Sequence, residues 1–126
     1  MITDFEETTG TMGDDALFEG DYCSVDDVIN KVMIFTGVTQ RETENGLRTL
    51  IAVEDGASWH SAFFTESKSL KKVVHDPERA WPFRAIIKVV KMKDFTGFKF
   101  CSPNSEVTQE DVSNFQFYQR NKYRRK

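Results

Sequence analysis

The stretch SWHSAFFTESK, residues 58–68, decides the fold, because a strand pattern gives way to a helix pattern within it. In the strand part the side chains alternate between two faces, and both faces carry aromatic rings. Trp59 and Phe63 point to one face, and His60 and Phe64 point to the other. A small domain needs only one face of such a strand for its core. We therefore expect the Phe64 face to fill the core and the face of Trp59 and Phe63 to be free for a ligand.

A short amphipathic helix is predicted directly after this strand. Leu70, Val73 and Val74 have the spacing i, i+3, i+4, while lysines occupy much of the remaining surface. The hydroxyl of Thr65 or Ser67 can cap the helix N-terminus, and a proline follows the last turn. The chain thus passes from a strand into a single short helix.

Two further strands are predicted on each side of this strand–helix unit. Upstream, KVMIFTGVTQRE (31–42) bends at Gly37 and is joined by an Asn-Gly turn to LRTLIAVE (47–54). Downstream, WPFRAIIKVVKMK (81–93) and FKFCS (98–102) are separated by a Thr-Gly turn. The residues expected in the core are Val32, Ile34, Phe64, Leu70, Val73, Ile87 and Val89.

The order of these elements predicts the fold class. Three strands, one helix and two strands, with hairpins inside each group of strands, is the order of the OB-fold, a partly open Greek-key barrel. The sequence therefore predicts an all-β domain with one short helix, in the form of a five-stranded OB-fold barrel. Its predicted parts are an acidic N-terminal arm (1–22) that is largely disordered or loosely docked, the OB-fold domain (23–104) and a C-terminal tail (105–126). The tail is expected to begin as a helix capped at Thr108 and to become basic and aromatic.

The charge of the chain is segregated between its two ends. Residues 1–30 contain nine acidic residues and no Lys or Arg, whereas residues 120–126 contain five basic residues and no acidic one. The net charge of −3 alone argues against a nucleic-acid partner. Charges act locally, however, within a Debye length of about 8–10 Å, so the basic end is compatible with such a partner.

The sequence lacks the marks of several other classes of protein. No apolar run approaches the roughly 20 residues that span a bilayer, and no basic start precedes an apolar segment, so we expect an intracellular protein without a membrane partner. Cys23 and Cys101 lie too far apart for a metal knuckle, and we interpret them as reduced thiols. There is no Gly-rich phosphate loop, no supported Ser/His/Asp arrangement and no His/Cys cluster. We therefore predict no catalytic residue, no metal and no cofactor.

Three segments, DDVINK (26–31), FFTESKSL (63–70) and PFRAIIKVV (82–90), carry a resemblance to a known family. In order and spacing, over about residues 24–102, the chain resembles the small single-stranded-DNA-binding proteins of bacteriophages and mobile elements. The resemblance implies DNA binding with little sequence preference, in replication or recombination, in the cytoplasm of a bacterial cell or a phage-infected host. Two features depart from the pattern. The C-terminus is basic, whereas cellular single-strand binders typically end in an acidic tail, and Glu66 occupies a position that is commonly Gly.

Binding of single strands without sequence choice needs flat side chains that stack on bases and cations that follow the phosphates. Trp59 and Phe63 offer two stacking platforms, about 13 Å apart along an extended strand. Arg41 and Arg48 flank the first hairpin, and aromatic and basic residues interleave in the C-terminal tail. The predicted nucleic-acid-binding residues are Phe35, Arg41, Arg48, Trp59, Phe63, Lys88, Lys91, Lys93, Lys99, Tyr118, Arg120, Lys122, Tyr123, Arg124 and Arg125.

Other interpretations of these residues stay open. The acidic arm can lie over a basic groove in place of nucleic acid, or it can dock a replication or recombination protein. The domain can be a non-catalytic OB-fold module that binds proteins. Asp55, Glu66 and Lys68 also have the residue types of a Mg²⁺-dependent nuclease. The oligomeric state is open as well, a homodimer included.

Overall fold

One sheet of six strands forms the framework of this computed structural model, which describes residues 2–5, 18, 21–93 and 95–124. The strands are β1 (Thr3–Asp4), β2 (Val32–Thr43), β3 (Gly46–Glu54), β4 (His60–Thr65), β5 (Phe83–Lys91) and β6 (Thr96–Cys101). The helices are a 3-10 turn (Val25–Asp27), α1 (Lys68–Val74) and α2 (Gln109–Arg124). Neither α1 nor α2 is long and apolar enough to cross a membrane.

The five longer strands form an antiparallel sheet in the order β4–β3–β2–β5–β6. The short β1 pairs in parallel with the start of β5, on the edge that β6 occupies further along. α1 connects β4 to β5 and packs against β6. In the described part of the chain no ladder joins β4 to β6, so the sheet is open along this seam. The predicted mainly-β fold is confirmed, with α2 as a second helix, but the sheet does not close into a barrel.

The backbone confirms the predicted bend and the first two predicted turns. The β2–β3 ladder shifts its register between Phe35 and Gly37, which is a β-bulge at the predicted bend. Gly46 has φ +96° in the turn after β2, and Gly56 has φ +85° in the turn after β3. Other residues rarely adopt this left-handed region, so glycine suits both turns.

The core lies on one face of the sheet and is built around an aromatic cluster. Phe35, Phe83 and Phe100 contact one another, with ring centroids 5.1–5.5 Å apart. Phe63 lies in the same core and, like Phe35, is 0% exposed. The prediction that Phe35 and Phe63 lie on the ligand face is therefore wrong. Cross-strand partners share a face, and Phe35 pairs with Phe83 on β5, which fixes the core on this side.

The opposite face of the sheet, hereafter the outer face, carries a smaller apolar cluster. Leu50, Ala52 and Ala62 are buried there together with Phe18, and Phe64 packs against them. Phe64 therefore lies outside the main core, contrary to the prediction, because its neighbour in β4 occupies the core face. Of the other expected core residues, Leu70, Ile87 and Val89 lie in the main core, and Val73 packs against it. Ile34 is buried outside this core, and Val32 is half exposed.

The described part of the acidic arm is docked on the sheet. β1 pairs with β5, and the ring of Phe5 lies 5.8 Å from that of Phe100 in the main core. Phe18 is buried on the outer face, and Ser61 Oγ on β4 donates to the carbonyl of Asp21 at 2.8 Å. These residues of the arm therefore have apolar and backbone partners on the sheet. The rest of the arm lies outside the described residues.

The C-terminal helix begins at the predicted cap and runs through much of the predicted basic tail. The Asp111 N–H donates to Thr108 Oγ1 (3.2 Å), and the Thr108 N–H donates to Asp111 Oδ2 (2.9 Å), so the two residues cap the helix reciprocally. Asn114 Nδ2 donates to a backbone carbonyl of β5 at 3.4 Å. α2 therefore packs on β5 as part of the folded unit.

Candidate nucleic-acid interface

The outer face of β3 and β4 presents a cation above an aromatic ring. The guanidinium carbon of Arg48 lies 4.8 Å from the ring centroid of Phe64. Leu50 and Phe64 are direct cross-strand partners, so Arg48, two residues away on β3, is the diagonal neighbour of Phe64 on the same face. The ring of Tyr22 meets Phe64 edge-on, with 5.5 Å between centroids. Phe64 is thus half-buried, and its neighbours Arg48 and Tyr22 each end in a polar group.

Glu66 joins two cations that come from different elements. Arg48 Nε lies 2.8 Å from Glu66 Oε2, and Lys71 Nζ lies 3.7 Å from Glu66 Oε1. Ser67 caps α1 by accepting a hydrogen bond from the Leu70 N–H. Lys71 lies one helical turn after this cap, and Glu66 lies directly before it. The hydrogen bond from Arg48 lowers the pKa of Glu66; burial opposes this effect, and the charges of Lys71 and Arg48 add to it. Glu66 is therefore ionised at neutral pH, and we refer to the three residues as the Arg48–Glu66–Lys71 cluster.

An apolar groove lies along the open seam between β4 and β6. This seam groove is lined by Val25, residues 64–69, Met92 and residues 95–98, and its volume is about 550 Å³. Phe95 is 60% exposed and Met92 is 42% exposed, although side chains of this size are usually buried. Glu66 and Lys68 contribute to the same lining. The groove therefore combines exposed apolar side chains with charged ones.

The four predicted cations Arg41, Lys91, Lys93 and Lys99, on the strands and hairpins of the sheet, are exposed but lie at different places. Arg41 lies on β2 near its hairpin with β3, and Lys99 lies on β6. Lys91 Nζ lies 4.3 Å from the ring centroid of Phe117 on α2. Lys93 lies in the β5–β6 hairpin, between Met92 and Phe95, which line the seam groove. None of these four cations belongs to the groove lining, but Lys93 lies in the hairpin that contributes to it.

Lys88 is buried and ion-paired, so the prediction that it contacts phosphate is wrong. Its Nζ lies 2.8 Å from Asp111 Oδ2 and donates to the carbonyl of Glu106 at 2.6 Å. The side chains of Lys88 and Asp111 are only 10% and 15% exposed. Burial alone would raise the pKa of Asp111, but hydrogen bonds from Lys88 and Thr108 outweigh it and lower this pKa. The pair fastens α2 to β5.

The predicted residues of the C-terminal tail divide between packing and exposure. Tyr118 is half-buried, and its ring lies 5.1 Å from that of Phe98. Lys122 Nζ lies 3.2 Å from Asp26 Oδ2 and so links the end of α2 to the 3-10 turn. Arg120 is exposed on α2. The predictions for Tyr123, Arg124 and Arg125 fall outside what the structure describes, which excludes Arg125 and the side chains of Tyr123 and Arg124.

Trp59 lies at the opposite end of β4 from Phe64. It is 38% exposed and lines a second cavity of about 750 Å³. The acidic and basic residues of this cavity are Asp21, Asp27, Lys31 and Asp55. Because Phe63 is buried, Trp59 and Phe63 do not form the expected pair of exposed platforms. The three aspartates also make the surroundings of Trp59 unfavourable for phosphate.

The carboxylates of the nuclease interpretation do not converge. Asp55 precedes β4 and Glu66 follows it, so the strand separates them by roughly 20 Å. Asp55 Oδ1 accepts hydrogen bonds from the N–H groups of Ala57 and Trp59, and Glu66 is paired within its cluster. Within the ranges that the structure describes, no group of three or more His, Cys, Asp or Glu side chains is placed to hold a metal ion. This geometry gives the nuclease interpretation no support.

Sequence reasoning misses the apolar side chains of the seam groove. Phe64 is assigned to the core because the wrong face of β4 is chosen. Phe95 and Met92 lie between the end of β5 at Lys91 and the start of β6 at Thr96, so this hairpin turns earlier than the predicted Thr-Gly site. An aromatic ring within the charged run KMKDFTG is a signal that could identify Phe95, since such a turn offers the ring no core to enter.

Residues 19–101 match the model of a protein family described as Domain of unknown function (DUF8468). The chain belongs to this family. No curated protein and no solved structure matches the chain. The DUF8468 domain spans β2 to β6 and α1, so it contains both the seam groove and the Arg48–Glu66–Lys71 cluster. β1, Phe18 and α2 lie outside the matched residues.

Proposed function

We propose that this DUF8468 protein binds single-stranded DNA with little sequence preference, in phage-like DNA replication or recombination. The binding surface is the seam groove together with the neighbouring outer face of β3 and β4. The observation that carries the proposal is an apolar groove with exposed Phe95 and Met92, which also holds Lys68 and adjoins the Arg48–Glu66–Lys71 cluster. Such a surface offers both kinds of contact that single strands need.

The apolar side chains of the groove supply the stacking contacts. Phe95 is 60% exposed and lines the same groove as Phe64 and Phe98. Stacking of a base on an aromatic ring contributes about 1–3 kcal/mol and tolerates any sequence, because every base has a π-face. The aromatic lining therefore accounts for binding with little sequence preference.

The cations around the groove supply the phosphate contacts. Lys68 lines the groove, Lys93 lies in the hairpin beside it, and Arg48 reaches the groove through its ion pair with Glu66. The acidic cavity at Trp59 lies at the opposite end of β4. A strand that binds in the groove therefore avoids the concentrated negative charge of the domain.

The strand order supports the finer assignment to the OB-fold, as part of the same proposal. β2 to β6, with α1 between the third and the fourth of these strands, follow the OB-fold order, and the open seam corresponds to a partly open barrel. OB-folds bind oligonucleotides on the face of their second and third strands and with two flanking loops. The corresponding strands are β3 and β4, which carry Arg48 and Phe64. One corresponding loop is the β5–β6 hairpin, which carries Phe95.

Titration of a labelled oligo-dT, followed by fluorescence anisotropy, tests this function. We expect binding that depends on strand length and weakens with salt, with a log–log slope of about −0.7 for each phosphate engaged. Phe95→Ala should weaken binding about tenfold, because one stacking partner is lost. Lys68→Glu should also weaken binding and make the salt slope shallower, because one phosphate contact is lost.

Two matched variants control this experiment. Val107→Ala removes an apolar side chain that is 42% exposed outside the groove, and Lys72→Glu reverses an exposed charge of α1 outside the groove. Both should bind oligo-dT nearly as well as the unmodified protein. Absence of binding at low salt, or equal losses in Phe95→Ala and Val107→Ala, would refute the proposal.

The second candidate function is a non-catalytic OB-fold module that binds an apolar segment of another protein. The observation that favours it is the exposure of Met92 and Phe95, because these side chains can pack against protein as well as against bases. Such a module would show no oligo-dT binding that grows with strand length. Docking of a replication or recombination protein on the acidic arm, and a homodimer, stay predictions.

A further inference from the structure

We propose that Arg48 and Lys71 form a phosphate-binding pair, and that Glu66 occupies this pair in the free protein as an internal competitor. The inference deepens the proposed function of the seam groove and rests on it for the nature of the ligand. It assigns Glu66 a role that opposes binding, although Glu66 lies inside the binding surface.

The first argument is the convergence of two cations on one carboxylate. Arg48 belongs to β3 and Lys71 to α1, and they meet different oxygens of Glu66, at 2.8 and 3.7 Å. A phosphodiester likewise presents anionic oxygens that accept charge-assisted hydrogen bonds. An anion that replaces the Glu66 carboxylate therefore gains both partners without a movement of β3 or α1.

The second argument is that Glu66 can leave. Its side chain is 58% exposed, and those of Arg48 and Lys71 are 31% and 33% exposed. Ion pairs with this exposure contribute little to stability, so exchange of one anion for another disturbs the fold little. Arg48 remains oriented after the exchange, because its guanidinium carbon lies 4.8 Å from the ring centroid of Phe64.

The third argument is the position of Glu66 within the groove. Phe64, Glu66 and Lys68 all belong to the lining of the seam groove. A phosphate bound in place of Glu66 therefore lies in the same groove as the ring of Phe64 and the ammonium group of Lys68. That neighbourhood suits a nucleotide chain, because a ring can stack on a base while the cations contact phosphates.

The ion pair of Lys88 and Asp111 provides a comparison, because it has a structural role and is not open to exchange with a phosphate. Lys88 and Asp111 have side chains that are only 10% and 15% exposed, and Lys88 also donates to the carbonyl of Glu106. A phosphate can reach Lys88 only after α2 has been displaced. The exposure of Glu66 and its place in the groove distinguish the exchangeable cluster from this structural pair.

The experiment removes the competitor while keeping its shape. Glu66→Gln should tighten oligo-dT binding about fivefold at low salt and steepen the log–log salt slope by about 0.7, because one more phosphate is engaged. Glu78→Gln is the matched control, because it removes the same charge from an exposed residue outside the groove. The double variant Glu66→Gln with Arg48→Gln should lose the gain. Equal behaviour of Glu66→Gln and Glu78→Gln would overturn the proposal.

A separate readout distinguishes failure of this inference from failure of the proposed function. The NMR signal of the Arg48 Nε–H group is followed during titration with inorganic phosphate. We expect this signal to respond at lower phosphate concentration in Glu66→Gln than in the unmodified protein. If it does so while no variant binds oligo-dT, the phosphate site stands and the DNA-binding function falls. If oligo-dT binds and depends on Phe95, but Glu66→Gln changes neither readout, the function stands and the competitor role falls.

Discussion

Phe63 and Phe64 are neighbours in β4, yet they lie in opposite environments. Phe63 is 0% exposed and belongs to the main core, whereas Phe64 is half-buried on the outer face, beneath the guanidinium of Arg48 and beside the seam groove. The side-chain period of a strand is two, so a shift by one residue would exchange the two rings. The comparison teaches that one face of β4 belongs to the main core, while the other carries a half-buried ring beside the groove that we propose as the binding surface.

The largest expected effect follows from exchanging either ring for alanine. Phe63→Ala should lower the free energy of unfolding by about 3–5 kcal/mol, because a fully buried ring leaves a cavity. Phe64→Ala should lower it clearly less, because this ring is half-exposed, but should weaken oligo-dT binding. Urea denaturation and anisotropy titration of both variants measure the two effects. A greater loss of stability in Phe64→Ala than in Phe63→Ala would contradict the assignment of the faces.

The two ion-pair clusters extend the comparison to charged residues. Lys88→Ala leaves the largely buried carboxylate of Asp111 without its cation and should cost about 3 kcal/mol of stability. Arg48→Ala removes a more exposed pair and should cost less than about 1 kcal/mol, while weakening oligo-dT binding. Chemical denaturation of both variants measures the difference. Similar losses of stability would show that the two clusters are equally structural.

The local features of the fold can be predicted from the sequence, because neighbouring residues determine them. The turn at Gly46 and the bend at Gly37 follow from the conformations that glycine allows. The caps at Ser67 and Thr108 follow from hydroxyl groups placed before an amphipathic or acidic first turn. Each of these features needs only a few consecutive residues to form.

The choice of the core face cannot be predicted in the same way. Both faces of β4 carry a phenylalanine, so alternation alone does not distinguish them. The choice is made by Phe83 and Phe100, which lie on later strands and pack against Phe35 on the core side. The bulge in β2 also shifts the alternation partway along that strand.

The candidate site shows the same limit of sequence reasoning. Arg48 could be predicted, because its place beside a hairpin is a local property. Lys88 could not be excluded, because its partner Asp111 comes from a helix that begins beyond the predicted domain boundary. The seam groove is a property of the whole sheet, since it depends on β4 and β6 not pairing.

The docked arm provides a further test of the outer face. Phe18 is 3% exposed and packs on the cluster that includes Phe64. If the arm takes the place of nucleic acid, Phe18→Ala should tighten oligo-dT binding about threefold, because a larger fraction of the protein is competent to bind. Ile2→Ala, at a residue of the arm that is 40% exposed, is the control and should leave binding unchanged. Weaker binding in Phe18→Ala would show that the arm supports the surface instead of blocking it.

The smallest effect on stability is expected for His75, which follows α1 and contacts Thr49 on β3. His75 Nε2 lies 3.0 Å from the hydroxyl of the buried Thr49, next to Arg48 in the chain. Burial lowers the pKa of His75, and the charge of Lys71 lowers it further. The folded protein therefore binds this proton more weakly than the unfolded chain, in which histidine titrates at about pH 6.5. Its contribution to stability is complete above that pH and declines as the pH falls below it.

Thermal unfolding from about pH 7.5 down to about pH 5.5 measures this contribution. The melting temperature of the unmodified protein should fall over this interval, and His75→Gln should flatten the fall, because glutamine has no proton to gain. His60→Gln is the matched control, since it removes an exposed histidine at the other end of β4 and should leave the fall in place. An identical fall in all three proteins would assign the pH dependence to other groups, and the contact between His75 and Thr49 would then have no part in it.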